Sequence, residues 1–161
     1  MAYISKDKLK QAIKTVAEQL LNQYGEGELY GFALCTDDSV ETLYHAACTK
    51  EWTSHHPREY ALCPTEWELA LENAQAIDEI SIELQSWSGR LKPGEEWHIA
   101  RDEHFEVLVQ AMVECQEEGN LSGFAFLCVT SVSALLYDLA FDAVSRLNGE
   151  DLADEYRVFF E

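Results

Sequence analysis

The chain has 161 residues, about the length of one domain, and carries 30 Asp and Glu against 11 Lys and Arg, a formal net charge of -19. Apolar residues make up 47% and charged residues 25%, which excludes a disordered chain and leaves enough apolar material for a sizeable core. A pI near 4.4 excludes nucleic acid and anionic membrane as direct partners, because like charges repel and no basic patch is present to release counterions from phosphate. A charged partner is therefore expected to be basic.

The first residues run Met-Ala-Tyr-Ile-Ser-Lys into a charged helical pattern, without the apolar stretch of a secretory signal. The longest apolar runs, such as Phe124 to Val129, have the length of a strand and are too short to span a bilayer. The cysteines, Cys35, Cys48, Cys63, Cys115 and Cys128, are odd in number and lack CxxC spacing. That usage predicts reduced thiols and a cytoplasmic protein.

In chain order, Leu9, Ala12, Ile13, Val16, Leu20 and Tyr24 recur at steps of three and four and predict a helix over 5–24, with Ser5 as N-cap and Gly25 as stop. Leu29 to Cys35 predicts an apolar strand, Thr36-Asp37-Asp38-Ser39 a turn, and Val40 to Cys48 the second strand of a hairpin. Its alternation is not clean: Val40, Thr42, Tyr44 and Ala46 share one face, and Glu41, Leu43, His45 and Ala47 the other, so one face is expected to be only partly covered. Thr49 to Pro64 shows no period and is expected to be the longest loop, a kind of segment that often carries function.

Thr65 and Glu68 have the spacing of a capping box, which predicts a helix from Glu66 with Trp67, Ala70, Leu71 and Ala74 turned inward. Ile80, Leu84 and Trp87 continue a helical pattern to Ser88-Gly89, and Lys92-Pro93-Gly94 breaks it. The clearest helix runs from Asp102 to Glu118, with Phe105, Leu108, Val109 and Met112 on one face and Gly119 as C-cap. Gly123 to Thr130 reads as a buried strand. Leu135, Leu136, Leu139, Ala140, Ala143, Val144 and Leu147 then recur at helical spacing, and a short helix from Glu150 closes the chain. Two hairpin strands and one distant strand, with helices between them, do not alternate as a doubly wound fold requires. The expected class is α+β: a single domain with a small, mainly antiparallel sheet of three or four strands covered by helices.

Four blocks resemble a known bacterial family: Leu29-Tyr30-Gly31-Phe32-Ala33-Leu34-Cys35-Thr36-Asp37-Asp38, Ala46-Ala47-Cys48-Thr49, Pro64-Thr65-Glu66-Trp67 and Ser145-Arg146-Leu147-Asn148. In this order they resemble domain-of-unknown-function family 4303, from about Leu29 to Asn148, with departures at Cys48, where the family pattern has Asn, and at Leu62, where it has an aromatic residue. The family brings no catalytic residues that carry over. Some of its relatives sit beside toxin genes of bacterial antagonism systems in the role of immunity protein, so the resemblance implies a binding protein rather than an enzyme.

His45, Cys48, His55, His56 and Cys63 form the densest group of metal-capable side chains. On a strand, however, His45 and Cys48 are an odd number of residues apart and face opposite ways, and no paired-cysteine knuckle accompanies them. Neither metal nor cofactor is expected. No G-x-S-x-G, HExxH or phosphate-binding glycine loop occurs, and Asp37-Asp38 reads as turn chemistry. Catalytic residues are accordingly not assigned.

Charge is distributed unevenly. Through Tyr24 the balance is +2, leaving -21 on the remainder, and from Asp102 to Ser145 there is no Lys or Arg. Glu103, Glu106, Glu114 and Glu117 fall on one stripe, opposite Phe105, Leu108 and Met112. A solvated face accounts for acid on a helix but not for the lack of interspersed cations, which ordinarily support it at i,i+4. Together with Trp52 in the irregular segment, these four glutamates are the expected partner-binding residues. The expected function is non-catalytic binding of a basic protein, as an immunity protein against a toxin of nuclease type. The alternatives are a small enzyme or metal-dependent regulator using His45 to Cys63, or an interaction module unrelated to toxins.

Overall fold

The computed structural model describes residues 4–88, 95–132 and 134–161. Helix α1 covers Lys6–Tyr24, with the Ser5 hydroxyl accepting a hydrogen bond from the Lys8 amide as its N-cap. Strands β1 (Leu29–Thr36) and β2 (Leu43–Thr49) follow, then the short helices α2 (Lys50–Ser54) and α3 (Arg58–Ala61) and a 3-10 turn at Pro64–Glu66. Helices α4 (Gln75–Ser88) and α5 (Glu95–Glu117) lead to strand β3 (Phe126–Ser131), and α6 (Tyr137–Leu147) and α7 (Glu150–Phe160) complete the described residues.

The fold is α+β, with strand order β2-β1-β3. The expected antiparallel character holds for only one of its two ladders. β1 and β2 are an antiparallel hairpin, but β3 lies parallel to β1, Ala33 opposite Cys128 and Cys35 opposite Thr130. The chain between β2 and β3, which holds α4 and α5, is long enough to return β3 to the same end as β1, whereas a tight turn can only reverse direction.

Both sheet faces are buried, which corrects the expectation of a partly covered face. Phe32, Leu34, Leu43, Ala47, Leu127 and Val129 point into a core shared with Leu9, Ile13 and Leu20 of α1, Ile77 and Leu84 of α4, and Phe105, Leu108 and Met112 of α5. Ala33, Cys35, Ala46, Cys48, Phe126 and Cys128 point the other way, onto Leu62, Trp67, Val144 of α6, and Ala153 and Tyr156 of α7. Burial on two faces removes the polar alternation that marks a half-exposed strand, which is why β2 read as irregular.

Several boundaries differ from expectation. Thr49 to Pro64 contains α2 and α3 rather than one loop; Thr49 caps α2 by accepting from the Trp52 amide. No helix begins at Glu66. Trp67 is extended, and the amides of Leu69 and Leu71 donate to the carbonyls of Ala47 and His45, so this segment runs along the outer edge of β2. Glu68 does not cap Thr65; its carboxylate accepts from the Thr49 amide and hydroxyl. Leu71 and Asn73 have positive φ, which ends any helical path, and Ala70 and Leu71 face solvent while Trp67 is buried. Val40, also at positive φ, lies in the turn, and β2 starts at Leu43. Helix α5 begins at Glu95, earlier than Asp102, β3 begins at Phe126 rather than Gly123, and Leu135 is an exposed member of a 3-10 turn. Gly119 ends α5 as expected: at φ +84° it donates to the Gln116 carbonyl while Asn120 donates to that of Cys115. The Trp87 side chain and the Lys92-Pro93-Gly94 break lie outside the described residues.

Candidate functional site

The acidic stripe of α5 does not stand alone. Helix α1 packs along α5 and directs its lysines at it: Lys6 Nζ donates to Glu114 Oε1 at 3.1 Å, Lys10 Nζ to Glu118 Oε1 at 2.6 Å, and Lys14 Nζ lies 2.8 Å from Glu118 Oε2. The hydrogen bond from Lys10, with that from Lys14, pulls the Glu118 carboxyl down to about 2. At the other end of the stripe, Arg146 of α6 reaches both carboxylate oxygens of Glu106, at 3.0 and 2.9 Å. Burial pushes the Glu106 carboxyl up, but the hydrogen bonds from Arg146 and Gln110 outweigh it and leave it lowered.

Of the four glutamates expected to bind a partner, Glu106 and Glu114 are thus engaged inside the molecule. Glu117 is exposed and Glu103 half-buried. The cations missing between Asp102 and Ser145 are supplied in space by α1 and by Arg146. The signal for this lies in the +2 balance of the first 24 residues, which spacing alone does not pair with α5.

Trp52 of α2 is half-buried. Its ring stacks on the exposed His56 at 4.1 Å between centroids, and His56 Nδ1 lies 2.7 Å from the Trp52 carbonyl. Next to this stack, Arg58 makes a two-pronged pair with Glu155 of α7, at 2.6 and 3.0 Å, and lies over the Tyr30 ring. This latch joins α3 to β1 and α7.

The metal-capable group is dispersed. His45 is fully buried, stacked on Phe32, with Nε2 donating to the Glu72 carbonyl and Nδ1 buried without a hydrogen-bond partner. Burial holds its pKa below the usual histidine value, so the ring is neutral. Cys48 faces the opposite core, and His55 and His56 are exposed. Among the described residues no three His, Cys, Asp or Glu side chains gather as a metal would require. Burial pushes the thiols of Cys35 and Cys48 up to about 12, so they pack as small apolar groups and are not reactive thiolates.

Residues of each of the four sequence blocks have structural work. Gly31 leaves room for the Trp67 ring, since a Cβ there would sit 2.5 Å from Trp67 Cη2. Asp37 Oδ1 accepts the amides of Glu41 and Thr42, closing the turn into β2. The Asn148 side chain pairs with the amide and carbonyl of Leu127, as a neighbouring strand would, and also donates to the Val144 carbonyl. A family model described as a domain of unknown function (DUF4303) matches residues 9–149, most of the chain. The chain belongs to the DUF4303 family. No curated protein and no solved structure matches it. In this DUF4303 protein Gly31, Trp67, Asp37 and Asn148 of these blocks hold the sheet, its turn and its edge. Among the described residues, no helix is long and apolar enough to cross a membrane.

Proposed function

We propose that this DUF4303 protein acts by binding a basic protein partner in the cytoplasm, without catalysis, in the role of an immunity protein that neutralises a toxin. One observation carries the reading. Among the described residues every Lys and Arg except Lys50 lies within salt-bridge distance of a carboxylate of the same chain. Apart from Lys50, the cations of the described residues are paired internally, which leaves the acidic surplus behind the net charge of -19 with little counter-charge of its own. Such a surface repels itself in the free protein, and a complementary basic surface relieves that repulsion and accelerates encounter.

The test is co-expression with the protein encoded by the neighbouring reading frame. The neighbour alone is expected to arrest growth and the pair to restore it. The complex is expected to co-purify, with an association rate that falls steeply with salt. A neighbour that is harmless, or that forms no complex with this chain, defeats the reading.

A further inference from the structure

Several of the exposed large apolar side chains lie between the end of β3 and the end of α7. Val132, Tyr137, Val158 and Phe159 are 63%, 47%, 82% and 39% exposed. Val132 follows the last residue of β3, Tyr137 opens α6, and Val158 and Phe159 lie in the last turn of α7. Helices α6 and α7 pack on each other across a connection of only Asn148 and Gly149, which brings the start of one beside the end of the other. A series of ring contacts joins them: Tyr137 to Phe141 at 5.9 Å, Phe141 to Tyr156 at 5.5 Å, Tyr156 to Phe160 at 4.7 Å and Phe160 to Phe159 at 6.4 Å. Tyr137 and Phe159 are the two solvent-facing ends of one aromatic ridge whose middle is anchored in the core.

We infer that this ridge is the surface on which a cationic segment of the partner docks, apolar side chains of that segment packing against its exposed ends, Tyr137 and Phe159, and its basic groups meeting carboxylates of α6 and α7. The inference rests on the binding role proposed above and gives it a location. Charge selects the occupant. From Val132 to Glu161 the chain has seven Asp and Glu against only Arg146 and Arg157. Arg146 pairs with Glu106 and Asp142, Arg157 with Asp154, and Arg58 with Glu155, which leaves Asp138, Glu150, Asp151 and Glu161 as the carboxylates of this stretch outside these ion pairs. A second copy of this chain would bring another net -19 against the same acidic surface, and an anionic bilayer would be repelled likewise. Exposed aromatic side chains on a strongly acidic chain suit an interface for a basic protein, in which a few aromatic anchors carry most of the affinity.

The probe is a synthetic amphipathic peptide of Lys and Leu, with a Lys/Ser peptide of equal charge beside it, titrated into the full chain and followed by amide chemical shifts. The Lys/Leu peptide is expected to shift residues 137–141 and 156–161. Replacing both Tyr137→Ser and Phe159→Ser is expected to weaken its binding about tenfold or more, whereas Ile82→Ser with Ile99→Ser, on exposed apolar sites elsewhere, is expected to leave it unchanged. Circular dichroism confirms that both variants fold. Shifts centred on α4 or α5, equal binding of the Lys/Ser peptide, or wild-type affinity in the ridge variant overturns the location. So does a wild-type dimer in sedimentation velocity that the ridge variant dissolves. If the neighbour rescued in co-expression binds the ridge variant as tightly as wild type, the location fails while the binding role stands. If no neighbour binds at all, the role itself fails.

Discussion

Lys10 Nζ lies 2.6 Å from Glu118 Oε1, tying the second turn of α1 to the residue just past the end of α5. Glu118 also faces Lys14, and Glu114, one turn earlier, faces Lys6. The ladder explains how two helices of opposite charge balance lie together in a molecule of strong net charge.

The Glu118 carboxyl is lowered from 4.5 to about 2 in the folded protein by its hydrogen bonds to Lys10 and Lys14. A carboxyl depressed on folding adds stability that is present above its unfolded pKa and lost as pH falls through the folded one. Wild type is therefore expected to be more stable than Glu118→Gln at neutral pH, and the difference to shrink from pH 4.5 toward pH 2. Urea melts across that range test this. A difference independent of pH would assign the effect to shape rather than charge. Added salt should shrink the neutral-pH difference as well, since the groups are exposed.

His45 has the opposite charge type and the same sense of pH dependence. Its folded pKa lies below the ordinary 6.5 because burial opposes the charged ring. The unfolded chain binds the proton first, so stability falls as pH drops below 6.5 and levels off once the folded pKa is passed. The slope contributed by this residue is at most about 1.4 kcal/mol per pH unit. In His45→Leu the slope between pH 7 and 5 should be shallower than in wild type, while stability at pH 7 falls because the Glu72 carbonyl loses its donor. An unchanged slope would show that His45 does not titrate in this window.

Gly31 and Trp67 form a complementary pair, the missing Cβ of one making room for the ring of the other. Gly31→Ala is expected to cost about 1–3 kcal/mol through overpacking. Adding Trp67→Leu, which has its own cavity cost, should make the Gly31→Ala penalty small. Equal penalties in both backgrounds would mean that the added methyl meets something else.

On α5, Leu108 is fully buried and Glu117 is exposed. Leu108→Ala is expected to destabilise by about 2–5 kcal/mol and Glu117→Ala to change little. Glu114→Ala should fall between them, since it breaks the pair with Lys6 but opens no cavity. Equal losses at all three positions would contradict the assigned faces of the helix.

The local signals of the sequence determined a good deal by themselves. The period of α1 with its Ser5 cap, the Phe105–Met112 face and the Gly119 stop each depend on residues a few positions apart, and each stands in the structure where the pattern places it, while the turn after β1 runs from Asp37 to Thr42 rather than over Thr36–Ser39. The α+β class and the family blocks were readable for the same reason. What only the tertiary structure decided involves partners distant in the chain. Glu68 could cap Thr65 or bond Thr49, and the neighbouring edge of β2, unknowable from spacing, takes it. The parallel return of β3 depends on how α4 and α5 cross the sheet. The α5 glutamates looked uncompensated because their cations stand in α1 and at Arg146, as far as 108 residues away for Lys6 and Glu114. The aromatic ridge is likewise a product of packing: Phe141 and Tyr156 meet only because α6 and α7 fold back on each other, which anchors the middle of the ridge and leaves Tyr137 and Phe159 exposed at its two ends.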